Sequence, residues 1–243
     1  MPKLERALLL LSCLLVKWVA PASAASLQVS PVSFELPAAV KATQLTLHNL
    51  GDASIDAQIR VFRWTQKDGE EQLTPSTDVV ASPPAATLTP HQDYVVRLVR
   101  VAATPVDGEE TYRLLVDEVP QAPTGSGGIV NFVVRYSIPV FFAQTGVAPD
   151  LAWTTSWGDN RLTLTVRNQG ASHVRIAGLK IESPSGASIS FGQGLVGYVL
   201  AHSTMHWSAP AMLKGMARDS VMKITAQGNN GPISAAAALQ VAN

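Results

Sequence analysis

His202 and His206 stand four residues apart. On a helix that interval puts two imidazoles on one face, and in the H-E-x-x-H pattern on one zinc ion. Here Ser203 follows the first histidine, and the flanks read as strand and turn. In a strand the same interval carries the rings too far apart to share an ion. A surface or edge role is expected for both, and no metal site. Pro123-Thr-Gly-Ser-Gly-Gly128 is glycine-rich in the manner of a phosphate cradle. No Lys-Ser/Thr follows it, and a strand succeeds it. The helix N-terminal amides that hold a phosphate are therefore missing, and a flexible loop is expected. There is no G-x-S-x-G elbow, and Cys13 is the only cysteine. Nothing here points to an enzyme, and no cofactor is expected.

The stretch with the clearest chemistry is apolar. Residues 127–142 read GGIVNFVVRYSIPVFF. Counted by twos, Gly128, Val130, Phe132, Val134, Tyr136, Ile138, Val140 and Phe142 share one face, and none is charged. Strands send alternate side chains to opposite faces. This run is far longer than the common strand of about 5–6 residues. Something must cover it.

The rest of the chain supplies the scaffold. It has 243 residues, 47% hydrophobic and 15% charged, with formal net charge zero. That balance fits a folded globular protein of one or two domains. It argues against a nucleic-acid binder, which needs a basic stripe for the phosphates. Lys3 and Arg6 precede a short apolar run, Ala7 to Val16, and then Ala22-Ser23-Ala24. These are the parts of a secretory signal peptide. Residues 1–24 are read as that signal, with cleavage after Ala24 or the neighbouring Ala25. Leu10-Leu-Ser-Cys13 resembles a lipoprotein box. The apolar run continues past it, however, and the better cleavage site lies downstream. Removal of the signal takes Cys13 with it, so stability in an oxidising compartment would come from core burial and not from disulfides. No later segment offers the ~20 apolar residues of a membrane helix, so no membrane insertion of the mature chain is expected.

Alternating runs recur at short spacing. They include 44–48, 57–64, 94–100 and 111–117, with turn signals such as Asn49-Leu-Gly-Asp and Lys67-Asp-Gly between them. About seven strands are expected between residues 27 and 142, the number an immunoglobulin-like sandwich needs. A second β series follows, over 161–167, 173–181, 195–200, 220–225 and 233–241. The reading is all-β, with an immunoglobulin-like β-sandwich domain over residues 25–142 and a second β-sandwich domain over residues 150–243, joined by a linker at 143–149.

Ile59-Arg-Val-Phe-Arg-Trp64, Ser82-Pro-Pro84, Val96-Arg-Leu98, Tyr112-Arg-Leu-Leu-Val-Asp-Glu-Val-Pro120 and Arg135-Tyr-Ser-Ile-Pro-Val-Phe141 occur in that order behind the signal. In this the sequence resembles the PapD-like periplasmic pilus chaperones, and most of all the archaic branch of the chaperone–usher pathway. The second domain resembles them weakly, mainly at Gly194-Leu-Val-Gly-Tyr-Val-Leu200. The resemblance implies two immunoglobulin-like domains in an L with a cleft between them. It also implies a periplasmic location and two partners, pilus or fimbrial subunits and an outer-membrane usher. A subunit lacking its last strand is completed by a strand lent by the chaperone, a form of β-augmentation. The subunit-binding residues of that strand fall on Val130, Phe132 and Val134, while Tyr136 to Phe142 are expected to pack inside the first domain.

The better-known branch of the family anchors the subunit's terminal carboxylate with an Arg in the first strand and a Lys late in the long strand. Here those positions fall on Val32 or Ser33 and on Ser137. Arg97 and Arg135 are the candidate replacements, with Arg97 expected in a strand beside the first. The family's interdomain salt bridge has its acidic member on Glu109, but its Arg position falls on Phe141. Two other classes fit a secreted β-sandwich, a pilin-like structural subunit and a carbohydrate-binding module. Against these, the N-terminal donor extension and cysteine pair of pilins and the clustered tryptophans of sugar binders are lacking.

Overall fold

The computed structural model describes residues 27–120, 133–211 and 220–241. Val, Thr, Leu and Ile dominate between close-set turns, and every regular element among these residues is a strand. The first group begins with β1 (Leu27–Ser30), β2 (Phe34–Pro37), β3 (Ala42–Asn49), β4 (Ile55–Lys67) and β5 (Glu70–Pro75). It continues with β6 (Val79–Ser82), β7 (Ala85–Leu88), β8 (Asp93–Arg100), β9 (Glu109–Val119) and β10 (Arg135–Ala143). The second group is β11 (Leu151–Gly158), β12 (Arg161–Asn168), β13 (Val174–Glu182), β14 (Ser188–Ser190), β15 (Leu195–Val199), β16 (Thr204–Pro210), β17 (Val221–Gly228) and β18 (Gly231–Val241).

In the first domain the sheet β1-β3-β8-β6 packs on the sheet β2-β10-β9-β4-β5, with β7 also on β4. Alternation decides what enters the core. Leu45 and Leu47 of β3 and Val96 and Leu98 of β8 meet Tyr112, Leu114 and Val116 of β9 there. In the second domain β14-β13-β17-β18-β11-β12-β16 form one sheet, with β15 on β13. Its halves bury Leu162, Leu164 and Val166 against Ile176, Ile181, Met222 and Ile224.

Among its described residues the first domain has ten strands where about seven were expected. The opening run divides between the two sheets. β1 pairs β3, and β2 pairs β10 in parallel. The crossing is made at Pro31, which has no N–H to give a ladder. β6 and β7 have four residues each, too few for a period to register in the sequence. The regular part of the long strand begins at Arg135. Ile138, Val140 and Phe142 lie in the core as expected, with Tyr136 packed against it. The Tyr136 hydroxyl donates to the Leu27 carbonyl at 2.7 Å, tying β10 to the facing sheet.

One end of this sandwich holds a buried charge cluster. The Arg100 guanidinium donates to both Glu110 oxygens, at 2.8 and 2.7 Å, and to the carbonyls of Ala102 and Thr104. The Tyr112 hydroxyl also donates to Glu110, at 3.0 Å. Burial pushes the Glu110 carboxyl up, but the bonds from Arg100 and Tyr112 outweigh it and hold the group below the usual glutamate range. A lowered carboxyl contributes stability above its unfolded pKa and loses it as the pH falls through the folded value. Glu110→Gln should therefore flatten the acid limb of a melting-temperature profile, most visibly below the ordinary glutamate range. Identical acid limbs in wild type and variant would contradict this role. Among the described residues no helix is long and apolar enough to cross a membrane.

Candidate functional site

β10 is paired by β9 along its whole length but by β2 only over Val140–Ala143. Among the described residues nothing pairs the other edge from Arg135 to Pro139. The Glu118 N–H donates to the Val134 carbonyl at 3.0 Å. In an antiparallel ladder such contacts alternate, so Tyr136 and Ile138 also turn their main-chain groups toward β9. Arg135, Ser137 and Pro139 turn theirs outward. Arg135 and Ser137 each present an N–H and a C=O to the open side, and Pro139 a C=O alone.

The register arranges the outer face of this sheet in rows. Asp117 lies between Gln58 and Arg135, Leu115 between Arg60 and Ser137, and Arg113 between Phe62 and Pro139. Asp117 accepts from Arg135 and, at 2.6 Å, from Arg60. Burial raises the Asp117 carboxyl, and the two guanidinium groups more than reverse this and hold it low. Arg113 differs in kind. Its side chain is 10% exposed, it lies 3.6 Å over the Trp64 ring, and its one hydrogen bond among the described residues is to Glu71 at 3.4 Å. Burial weakens its hold on its proton, which Glu71 partly restores. A desolvated guanidinium with one long bond to the edge strand β5 is a ready receptor for a carboxylate.

Just beyond Arg113 the second domain closes on the sheet. Trp64, Phe141, Tyr198 and Leu200 form a small core of their own between the domains. The Gln66 amide donates to the Tyr198 carbonyl and accepts from the Leu200 N–H, both at 2.9 Å, so it occupies the place of a neighbouring strand for β15. The β4–β5 turn reaches β16, where Gly69 bridges to Met205. Gly69 has φ +80°, and a Cβ there would enter the His206 ring. On the other side of β10, Glu109 accepts from the His173 backbone N–H at 2.9 Å and from its Nδ1 at 2.8 Å. Phe141 stacks on that imidazole, with centroids 3.5 Å apart and planes 6° apart. The interdomain partner of Glu109 is thus a histidine from β13's threshold, and the residue at the family's Arg position stacks on it.

The residues expected to act together are dispersed. Val130 and Phe132 lie outside the described residues. Val134 is half-buried beside Glu118. Arg135 stands at the open edge but is engaged by Asp117. Arg97 is not in a strand beside the first. β8 lies between β3 and β6, so Arg97 sits opposite Gln44 and Ser82. Val96 and Leu98 take the inward positions and turn it to the outer face of the opposite sheet. Arg97 and Arg135 are therefore not brought together. Arg113 and His173 were missed. For Arg113 a signal existed, since Tyr112, Leu114 and Val116 point inward and leave an arginine alone on the outer face among apolar neighbours. His202 lies in an exposed turn and His206 on an exposed strand position, and no metal-binding group occurs among the described residues.

A two-sandwich protein whose β10 edge is unpaired among the described residues offers the kind of edge that β-augmentation uses. Residues 26–148, half of the 243-residue chain, match the family of pili and flagellar-assembly chaperones through the PapD N-terminal domain, and the chain belongs to that family. Among solved structures it is similar to the CsuC–CsuE chaperone–tip adhesion subunit pre-assembly complex from the archaic chaperone–usher Csu pili of Acinetobacter baumannii. The identity is 26% and the TM-score 0.66, over 90% of this chain and 100% of that one. It shares its fold with the Pseudomonas aeruginosa CupB2 chaperone, at 18% identity and TM-score 0.56 over 87% and 100% of the two chains. It shares it also with the Salmonella enterica SafA pilin–SafB chaperone complex, at 18% identity and TM-score 0.60 over 87% and 96%. No curated protein matches the sequence.

Proposed function

We propose that this chaperone works in the periplasm, holds a pilus subunit that lacks its final strand, and passes it to an outer-membrane usher. The observation that carries the reading is the edge of β10 from Arg135 to Pro139, unpaired among the described residues, which ends beside Arg113. A subunit strand laid along that edge would take its main-chain bonds from Arg135 and Ser137. Val130, Phe132 and Val134, earlier in the same run, are proposed to fill the subunit's apolar groove. We assign the anchor for the subunit's terminal carboxylate to Arg113. Its cross-strand neighbour is Pro139, where the open edge gives way to β2. Arg135 is already held by Asp117, and Arg97 lies on the other sheet.

The test is co-expression with the subunits encoded beside it, followed by co-purification. Phe132→Lys should abolish the complex while the chaperone still folds, because an unpaired ammonium in an apolar groove costs several kcal/mol by order of magnitude. Ser137→Pro removes one outward N–H and leaves the β9 ladder intact. It should weaken the complex about fivefold, the worth of one hydrogen bond of ~1 kcal/mol. Full complex yield from both variants would overturn the reading.

A further inference from the structure

We propose that the pocket between the two domains, beside β2, binds an alkylammonium group, the head of a lysine side chain or of a free primary amine. Its volume is about 310 Å³. Glu35 and Pro37 of β2, Glu109 of β9 and Val147 of the segment joining the domains line it from one side. His173, Asn229 and Asn230 line it from the second domain. The lining holds two carboxylates and, among the described residues, no Lys or Arg. A concave site with that balance draws a cation. Pro37 and Val147 add an apolar wall that suits an alkyl stem.

The observation that points to a ligand is the far nitrogen of His173, a side chain only 5% exposed. Its Nδ1 donates to the Glu109 carboxylate at 2.8 Å. Nε2 is buried and has no hydrogen-bond partner among the described residues. A Glu35 oxygen stands 3.9 Å from it, beyond hydrogen-bond reach. A proton on Nε2 would have nothing to receive it, so this nitrogen presents a lone pair. The Glu35 side chain is 57% exposed and makes no hydrogen bond among the described residues. Two acceptors thus stand side by side without a donor, and a buried acceptor is costly to leave unmatched. Both are set by one strand pair. Glu35 lies opposite Phe141 in the β2–β10 ladder, and the His173 ring stacks on Phe141. An ammonium head carries three donors and no lone pair, so it serves Nε2 and Glu35 together and brings the charge that the carboxylates favour. Water would serve Nε2 but bring no charge.

Titration of the mature protein with n-butylamine, read by magnetic resonance of isotope-labelled histidine nitrogens, tests the site with no subunit present. The His173 Nε2 resonance should move saturably, with a dissociation constant in roughly the millimolar range for a ligand of so few atoms. n-Butanol, which has a donor but no charge, and tetramethylammonium, which has the charge but no N–H, should each bind about tenfold more weakly or worse. Glu35→Gln, at an exposed side chain, should weaken butylamine about tenfold or more. No saturable shift, an equal response to tetramethylammonium, or full affinity in Glu35→Gln would overturn the proposal and leave water alone on the lone pair. The same titration of the chaperone–subunit complex separates the two sources, and only this arm rests on the proposed subunit-binding role. If a subunit lysine fills the site, the complex should show the shifted resonance before any amine is added and no further response. If the ligand is a free amine, the complex should respond as the unbound protein does. A complex that fails to form would count against the chaperone reading and leave the result on the unbound protein standing.

Discussion

Arg113→Ala should weaken the chaperone–subunit complex by about 2–5 kcal/mol, roughly thirtyfold to several-thousandfold in affinity, the usual cost of truncating one side of a buried charge pair. The expectation follows from what Arg113 lacks. Among the described residues its only hydrogen bond is 3.4 Å long and goes to Glu71, a partner 40% exposed. Removing a guanidinium so held costs the unbound chaperone little more than its contacts with the Trp64 and Tyr198 rings. Arg113→Lys should recover part of the affinity, since the charge remains and the planar fork is lost. Glu71→Gln should bind as well as wild type or better, because a competitor for the same guanidinium is gone. Calorimetric titration with a subunit lacking its final strand measures all three. An unchanged affinity for Arg113→Ala would remove it as the anchor and leave the main-chain edge and its apolar row as the whole of the grip.

Trp64→Ala should lower stability by about 3–5 kcal/mol, the range for deleting a fully buried large aromatic. The effect should take a particular form. Trp64 is fully buried, yet its ring neighbours are Phe141 of its own domain and Tyr198 of the other, at 5.9 and 5.4 Å. The cavity would open at the joint and not inside either sandwich. Scanning calorimetry is then expected to show one transition in the wild type and to resolve two in Trp64→Ala. Trp64→Phe, which keeps an aromatic against Phe141 and Tyr198, should retain most of the coupling. A single transition with an unchanged midpoint in Trp64→Ala would show that the joint does not depend on this ring.

Strand content and the alternating faces were legible because a strand's period is local. Tyr112, Leu114 and Val116, and again Ile138, Val140 and Phe142, point where a count by twos places them. The run from 27 to 37 was not legible as two strands, because its parts serve different sheets and nothing nearby says so. The misplacement of Arg97 has the same origin. Its outward direction follows from Val96 and Leu98, but which sheet β8 joins is decided by pairing with β3, some fifty residues earlier in the chain. The partner of Glu109 was hidden for a similar reason. His173 is 64 residues away, and a histidine at the head of an alternating run carries no mark of what it will meet. Arg113 was in plain view as the odd residue in Tyr112-Arg-Leu-Leu-Val, and only the neighbouring Trp64 and Glu71 distinguish it from Arg60 or Arg135.

The open edge of β10 carries a hazard of its own. Unpaired main-chain groups beside a long apolar run are the template on which chains stack into aggregates. This edge is guarded at both ends. Pro139 interrupts the row of donors where a second copy would need it, and Arg135 sets a charge, 63% exposed, at the other end. Between them only Ser137 offers a complete outward pair of N–H and C=O with no charge beside it. A ladder that short holds an intruding β10 from another copy poorly and leaves little for a growing fibril to build on. Replacing Pro139 with a β-branched residue would extend the row of donors, and the concentrated protein, kept without a subunit, would then be expected to self-associate.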